Sequence, residues 1–168
     1  PGKVQELSHM RKAISNHMMK SINTSAHVHL MTEIDVTEIV NFVKANQNSF
    51  YEKENFTLTY TPFILMSTIK ALKNHPLVNA SLINDSIHYH KHINIGLAVS
   101  IEEGLMVPTI FNCEEKNFLG LCRSVNEIAN RTRLNEITPD ELGGSTFSIT
   151  NFGVFGIMAG TPIINQPN

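Results

Sequence analysis

The first part of the chain repeats its apolar residues at the spacing of an α-helix. One face of this predicted helix carries Met10, Ala13, Ile14, Met18 and Ile22. Ser8 precedes the pattern, and serine caps helix N-termini by accepting a backbone hydrogen bond. The pattern therefore predicts an amphipathic opening helix.

Three further helices are predicted by the same spacing. One starts at Thr37, where strand-like alternation gives way to a helical period. Another is the stretch "TPFILMSTIKALKNHP", in which Pro62 stands near the start and Pro76 just beyond the end, where proline costs a helix least. The last covers 118–134 and repeats Phe118, Leu121, Cys122, Val125, Ile128 and Ala129.

Strands are predicted where apolar and polar residues alternate or where short apolar runs occur. The stretch "HVHLMTEIDV" (27–36) is strand-like, and residues 79–90 read as a hairpin around Asn84-Asp85. Two apolar runs, "INIGLAVSI" and "LMVPTI", flank a turn at 102–104 and are expected in the core sheet. Thr138 and Glu141 then form a capping box at a short helical turn that leads into the strand "STFSITN". The mixture of helices and strands predicts an α/β protein.

The composition is that of a globular domain and argues against nucleic-acid or membrane partners. The 168 residues are 42% hydrophobic and 17% charged, which suffices for one substantial core. A net charge of −2 provides no basic field for nucleic acid. The apolar runs are too short to cross a bilayer, and the first residues do not resemble a signal peptide. We therefore expect a single domain, 1–168, in a bacterial cytoplasm or a mitochondrial matrix.

Neither the cysteines nor the histidines form a recognisable catalytic or metal-binding motif. Cys113 and Cys122 have no partner pair and fit packed, free thiols in a reducing compartment. Alternating histidines would share a strand face, but no carboxylate or cysteine stands at ligand spacing, so we predict no metal site. These histidines are His27 and His29 in one stretch and His88, His90 and His92 in another.

The strand "STFSITN" ends on Thr150 and Asn151 instead of another apolar residue. A hydroxyl and an amide that are buried side by side must be hydrogen-bonded, either to neighbouring backbone groups or to a ligand. The pattern alone favours the first reading. The stretch "NFGVFGIMAG" that follows is neither a phosphate loop nor a dinucleotide fingerprint, and it is expected to be a tight loop near a ligand or a neighbouring subunit.

Seven stretches, taken in order, resemble the catalytic core of the dihydrolipoamide acyltransferases of 2-oxo acid dehydrogenase complexes. They are "MRKAISNHMMKSINTSAHV", "EIDVTEIV", "TPFILMSTIKAL", "HPLVNAS", "INIGLAVSIEEGLMVPTI", "GGSTFSITNFGVFG" and "TPIIN". The resemblance runs from about Leu7 to Pro167. It implies the chloramphenicol-acetyltransferase-like fold, an α+β two-layer sandwich in which helices flank a mixed sheet.

The same resemblance implies a reaction and an assembly. An acyl group passes from a dihydrolipoyl thiol to coenzyme A, and the lipoyl group is carried on a domain that is not present in this chain. Such proteins form homotrimers that build a cubic or icosahedral core. They bind the E1 and E3 components through other domains that this chain also lacks.

Four polar residues receive roles from the resemblance. Thr150 matches the hydroxyl that donates a hydrogen bond to the oxyanion of the tetrahedral intermediate, and thioester exchange does develop charge on that oxygen. Asn151 is implied to lie at the thiol end of coenzyme A, and Thr59 and Ser100 are implied to be further coenzyme A contacts. The ordered match therefore favours a catalytic role for Thr150.

Two features of the family pattern are missing. An arginine that often follows the "DxTxxV" block falls at Val43, and the adjacent Lys44 lacks the guanidinium fork that suits phosphate. A segment with the pattern H-x-x-x-D-G, whose histidine is the general base supplied across the trimer interface, is also absent from the 168 residues. We therefore expect the C-terminal part of the catalytic domain to be missing and this chain alone to be inactive.

Three functions remain open on the sequence. The first is acyl transfer to coenzyme A, the second is an inactive structural scaffold of the same fold, and the third is a chloramphenicol-acetyltransferase-type enzyme with a small hydroxyl acceptor. An H-x-x-x-D-G segment would favour catalysis over the scaffold. A thiol acceptor would separate the first function from the third.

Overall fold

The computed structural model describes residues 2–102, 104–153 and 156–166. Its helices are α1 (His9–Thr24), α2 (Thr37–Glu54), α3 (Thr61–Asn74) and α4 (Phe118–Arg133). Its strands are β1 (Ala80–Ile83), β2 (Ser86–Tyr89), β3 (Ile95–Leu97), β4 (Val99–Ile101), β5 (Gly104–Met106), β6 (Thr109–Ile110) and β7 (Phe147–Ile149). Short 3-10 helices cover Pro76–Val78, Cys113–Glu115 and Pro139–Leu142. None of the described helices is both long and apolar enough to cross a membrane.

Local signals account for where the helices begin. The Ser8 side chain accepts a hydrogen bond from the backbone N–H of Arg11 at 3.3 Å, which confirms the predicted cap of α1. Pro62 lies in the first turn of α3. A backbone N–H in this turn has no partner within the helix, so proline loses no hydrogen bond by lacking one. The sequence pattern missed the cap of α4, where the Asn117 side chain accepts from the N–H of Gly120 at 2.8 Å.

A three-stranded mixed sheet lies at the centre of the fold. β3 is the middle strand, antiparallel to β6 and parallel to β7. Helices α3 and α4 contribute buried apolar residues to the same core, which includes Leu65, Ile69, Leu72, Ile95, Leu97, Ile110, Leu121, Val125 and Ile128. A smaller apolar cluster of Val43, Leu58 and Cys122 joins α2 to α4. The predicted mixed sheet flanked by helices is confirmed.

Two hairpins complete the described strands. β1 and β2 pair antiparallel around Asn84 and Asp85, whose φ angles of 46° and 60° are left-handed, as a two-residue type I′ turn requires. The hairpin predicted there is therefore confirmed. β4 and β5 form the second hairpin, and Glu103 in its predicted turn lies outside the described residues.

The predicted strand at 27–36 is wrong. This segment has no strand in the described structure, and the side chains of Val28 and Leu30 are 82% and 94% exposed. A strand is completed by hydrogen bonds to a neighbouring strand, and none of the described strands pairs with this segment. The alternation of residues alone could not reveal that the partner was lacking.

The two apolar runs expected in the core are each divided into two strands. β3 ends at Leu97 and β4 begins at Val99, and the N–H of Ala98 between them donates to the carbonyl of Ile149 at 3.0 Å, as part of the β3–β7 pairing. Pro108, which has no N–H to donate, stands between β5 and β6. Each run therefore contributes one strand to the central sheet and one to the β4–β5 hairpin.

The opening helix is confirmed, but its apolar face is largely exposed. Met10, Ile14 and Ile22 keep 37%, 39% and 48% of their surface accessible. Ser21 is the one residue of α1 that is buried. The helical spacing correctly identified the helix without indicating what covers its apolar face.

The predicted capping box at Thr138 is confirmed and is tied to α4. Glu141 accepts hydrogen bonds from the Thr138 N–H at 3.0 Å and the Thr138 hydroxyl at 2.9 Å. Arg131 of α4 donates two further bonds to the same carboxylate, at 2.6 and 2.8 Å. These bonds, that from Arg131 first, lower the pKa of Glu141 from 4.5 to about 2.

We predict that Glu141→Gln destabilises the fold by about 1 kcal/mol at pH 7, the upper range for a solvent-accessible ion pair of good geometry, because glutamine keeps the capping-box acceptor but loses the charge that Arg131 binds. Because the pKa of Glu141 is lowered by folding, its contribution is complete above pH 4.5 and is lost as the pH falls towards 2. Urea unfolding of both proteins across this range should show the difference narrowing in acid.

Glu127→Gln is the matched control for this prediction. Glu127 reaches the same arginine only at 3.9 Å and is 69% exposed, so its loss should leave stability within error. Equal effects of the two substitutions would contradict the assignment of this stability to the ion pair between Arg131 and Glu141.

Candidate functional site

The end of β7 places two polar residues where the central sheet stops. β7 pairs with β3 in parallel, with Phe147 opposite Ile95 and Ile149 opposite Leu97. Thr150 follows and is half-buried, and its hydroxyl has no hydrogen-bond partner among the described residues. A hydroxyl in this position is free to donate to a ligand.

Asn151 also serves the local backbone. Its side-chain oxygen accepts a hydrogen bond from the N–H of Gly153 at 2.8 Å, which forms an Asx turn directly after the strand. The expectation that the Thr-Asn pair bonds to neighbouring backbone groups is therefore confirmed for the side-chain oxygen of Asn151. It does not account for the Thr150 hydroxyl.

Three of the predicted site residues line one cavity. This cavity, called the polar cavity below, has a volume of about 400 Å³. Thr59 from the loop before α3, Ser100 from β4 and Asn151 from the end of β7 all lie in its wall. The loop, the hairpin and the strand end are far apart in sequence, so the fold alone brings these three side chains together.

Helix α4 forms another side of the polar cavity with residues that the sequence analysis missed. Asn126, Asn130 and Arg133 line it, one helical turn apart, and the amide of Asn130 donates to the side chain of Asn126 at 3.3 Å. Among the described lining residues, Arg133 is the one with a charged side chain. Their helical spacing was the available signal, but a polar stripe on a helix usually faces water.

A second cavity lies on the other side of the strand end. This apolar cavity has a volume of about 620 Å³ and is lined by Thr150, with Met18 from α1, Val107, Phe147 and the segment 161–165. Leu105 lines both cavities. Thr150 and Asn151 are thus adjacent in sequence but face different cavities.

Val43, at the position where the family pattern often has an arginine, and the adjacent Lys44 do not line either cavity within the described residues. Val43 is buried in the small apolar cluster with Leu58 and Cys122. Lys44 is exposed and, within the described lining, contributes to neither cavity. Lys44 is therefore poorly placed to replace the arginine.

The cysteines are packing residues, as predicted. Both are buried and unpaired, with Cys113 at 0% and Cys122 at 2% exposure. Burial raises the pKa of both thiols, that of Cys122 to about 11. A thiol with such a pKa is protonated at neutral pH and is a poor nucleophile.

None of the histidines lines the polar or the apolar cavity within the described residues. Nδ1 of His92 instead lies 2.7 Å from Oε1 of Glu114. One potential ligand atom from each of His92, Glu114 and Glu115 lies within 4.8 Å of the other two. Glu114 also accepts from the N–H of Ile93 at 2.9 Å. Burial opposes the charge of Glu114, but these hydrogen bonds lower its pKa, so the group is a paired carboxylate.

A family model for the 2-oxoacid dehydrogenases acyltransferase catalytic domain matches residues 1–168. The dihydrolipoyllysine-residue succinyltransferase component of the 2-oxoglutarate dehydrogenase complex of Bacillus subtilis is 35% identical over 167 residues. The match covers 99% of this chain and 40% of that protein. The acetyltransferase component of the pyruvate dehydrogenase complex of Mycobacterium tuberculosis is 37% identical, with 99% and 30% covered.

Solved structures show the same fold. A probable dihydrolipoamide acetyltransferase from Listeria monocytogenes superposes with a TM-score of 0.94 at 34% identity, covering 99% of this chain and 71% of that one. The cubic core of a pyruvate dehydrogenase multienzyme complex superposes with a TM-score of 0.92 at 29% identity, covering 99% and 70%. The chain thus spans less than half the length of the curated relatives and about seven tenths of the solved chains.

Proposed function

Since the chain belongs to the family of 2-oxoacid dehydrogenase acyltransferase catalytic domains, we propose that it transfers an acyl group from acyl-dihydrolipoamide to coenzyme A. The observation that carries the proposal is the arrangement at the end of β7. The Thr150 hydroxyl, which has no partner in the described part of the chain, faces one cavity, while Asn151, Thr59 and Ser100 share the other. A reaction between two thiol carriers requires two approaches to one reacting carbon, and the strand end separates two cavities.

In the proposed reaction, the coenzyme A thiol gives its proton to a base, and its sulfur attacks the carbonyl carbon of the acyl-dihydrolipoyl thioester. The carbonyl π electrons move to oxygen, and the Thr150 hydroxyl donates a hydrogen bond to the resulting oxyanion. When the carbonyl re-forms, the bond to the dihydrolipoyl sulfur breaks, and that sulfur takes up a proton. The products are acyl-coenzyme A and the dihydrolipoyl dithiol, and no electrons are gained or lost.

The polar cavity is the proposed site of coenzyme A. The chain of coenzyme A carries amide and hydroxyl groups, which suit the side chains of Thr59, Ser100 and Asn151. Its far end carries phosphates, which suit the guanidinium of Arg133. The apolar cavity beside Thr150 is the proposed approach of the dihydrolipoyl arm, whose hydrocarbon chain gains from leaving water.

Activation of the coenzyme A thiol is assigned to a group outside the described residues. A thiol of ordinary pKa is mostly protonated at neutral pH and needs a positioned base. A threonine hydroxyl is far too weakly basic for this role, and no described histidine lines either cavity. The H-x-x-x-D-G histidine of the resemblance, supplied by a neighbouring subunit, remains our proposal for that base.

We further propose that the protein assembles as homotrimers that build a larger core with the E1 and E3 components attached. The similarity to the cubic core supports this proposal. The exposed apolar residues of α1 and of the 27–36 segment support it too, because large apolar surfaces usually mark interfaces.

We predict that Thr150→Ala lowers kcat of the complete protein by roughly 10²–10³-fold, the usual cost of losing one oxyanion donor, with little change in coenzyme A affinity. Thr150→Ser should retain most of the activity. Thr161→Ala, which removes another hydroxyl of the same cavity wall, is the matched control and should stay near wild type. Wild-type turnover by the Thr150→Ala protein would assign Thr150 to structure alone.

We predict that Arg133→Gln weakens coenzyme A binding roughly tenfold, the scale of one charge-assisted hydrogen bond, and leaves pantetheine binding unchanged. Pantetheine shares the thiol arm of coenzyme A but carries no phosphate. Calorimetric titration of both ligands measures the effect. Lys70→Gln removes one positive charge away from both cavities and is the control. Equal losses for the two ligands would remove Arg133 from the phosphate site.

We predict that the complete protein sediments as a trimer or a larger particle at micromolar concentration. Sedimentation velocity measures the mass directly. A monomer under these conditions would contradict the proposed assembly and the idea that a neighbouring subunit supplies the base.

A further inference from the structure

The wall of the apolar cavity includes the segment 161–165, which has no strand partner among the described residues. Side chains at the end of α1 hold it instead. The Ser21 hydroxyl donates to the carbonyl of Ile164 at 2.7 Å, and the N–H of Ile164 donates to Nε2 of His27 at 3.0 Å. Both backbone polar groups of Ile164 are thus satisfied by side chains.

This contact ties α1 to the segment 161–165. Ser21 has 0% exposure and is the buried residue of an otherwise accessible helix. A third bond reinforces the contact, since the amide of Gln166 donates to the Ser25 hydroxyl at 2.6 Å. The cavity wall and the end of α1 therefore form one hydrogen-bonded unit, with His27 at its centre.

The hydrogen bonds determine the protonation of His27. Nε2 faces an N–H donor, so this nitrogen must accept. Nδ1 lies 2.9 Å from the Ser25 carbonyl oxygen, which can only accept, so Nδ1 carries the proton. His27 is therefore the neutral Nδ1–H tautomer. A second proton, on Nε2, would point at the Ile164 N–H and abolish that bond.

The surroundings of His27 provide no counter-charge in the described part of the chain. Its one recorded titratable neighbour is His29, whose ring centroid lies 6.4 Å away, and His27 forms no salt bridge among the described residues. Protonating His27 would thus lose the Ile164 bond without an ion pair in exchange.

We propose that Ser21 and His27 are positioning residues that hold the 161–165 wall of the apolar cavity, with His27 as the acceptor for the Ile164 N–H. The inference rests on the proposed acyl transfer, because that function makes the apolar cavity the approach of the acyl-dihydrolipoyl arm. Neither residue touches the reacting atoms. Their loss should alter binding from the Thr150 side and leave coenzyme A binding unchanged.

Kinetics of the complete protein test the role. His27→Ala leaves the Ile164 N–H unpaired and should raise KM for acyl-dihydrolipoamide roughly tenfold, the cost of one unsatisfied buried donor, with KM for coenzyme A unchanged. His27→Gln restores an acceptor at the position of Nε2 and should keep near-wild-type KM at pH 7.

His29→Gln is the matched control, since it removes the neighbouring exposed histidine and should leave both KM values near those of the wild type. A KM for acyl-dihydrolipoamide raised as much in His27→Gln as in His27→Ala, or equal changes of KM for both substrates in His27→Ala, would overturn the proposal.

A readout without turnover separates this inference from the proposed function. Hydrogen exchange of the 161–166 segment should accelerate in His27→Ala and in Ser21→Ala but not in His29→Gln, and nitrogen chemical shifts should report the Nδ1–H tautomer of His27. Unchanged exchange or the other tautomer would overturn the positioning role. An inactive wild type with the expected exchange pattern would instead refute the acyl-transfer proposal and, with it, the catalytic part of this inference.

Discussion

The parallel pairing of β7 with β3 is the constraint on which the site depends. It brings the residues after Ile149 to the point where β3 ends and the chain continues into the β4–β5 hairpin. Gly96 leaves room beside β3 for the side chains of Ser148 and Val107. A Cβ there would lie 3.0 Å from Oγ of Ser148 and 3.0 Å from Cγ1 of Val107. Without this pairing, Asn151 and Ser100 would not share a cavity.

A buried polar network fixes the start of the same strand. The Thr146 hydroxyl donates to the side chain of Asn79 at 2.7 Å and accepts from the N–H of Asn94 at 3.1 Å. Asn79 is 4% exposed and also donates to the carbonyl of His92 at 3.1 Å. Because buried polar groups are costly when unpaired, this network admits few alternative registers for β7. The position of Thr150 at the end of β7 therefore depends on the hydrogen bonds of Thr146 at its start.

The sequence predicted best what depends on neighbours in the chain. Caps, prolines and helical spacing located all four helices, and the Asn84-Asp85 pair located a hairpin, because these signals act within a few residues. The strand prediction for the 27–36 segment was wrong because strand formation depends on residues that are distant in the sequence. Its alternation suits a strand, but a strand exists only with a partner, and pairing is decided by the whole fold.

The same difference between local and long-range signals applies to the residues of the site. Thr150, Asn151, Thr59 and Ser100 were found through ordered resemblance to a family, and the fold then placed three of them in one cavity. Arg133 was missed, because an arginine in the last turn of a helix is already explained by the helix dipole. His27 was set aside as part of an alternating strand face. Its significance depends on Ile164, which lies 137 residues away.

The separation of the two cavities has a chemical consequence. Thr150 can stabilise negative charge but cannot remove a proton, and Asn151 is committed through its oxygen to the turn at Gly153. Stabilisation of the oxyanion and activation of the thiol must therefore come from different parts of the protein in the proposed reaction. A strand end that presents a donor to one side and a binding cavity to the other suits this division. Coenzyme A and the dihydrolipoyl arm can then approach the same carbonyl carbon from different cavities, while a separate residue supplies the base.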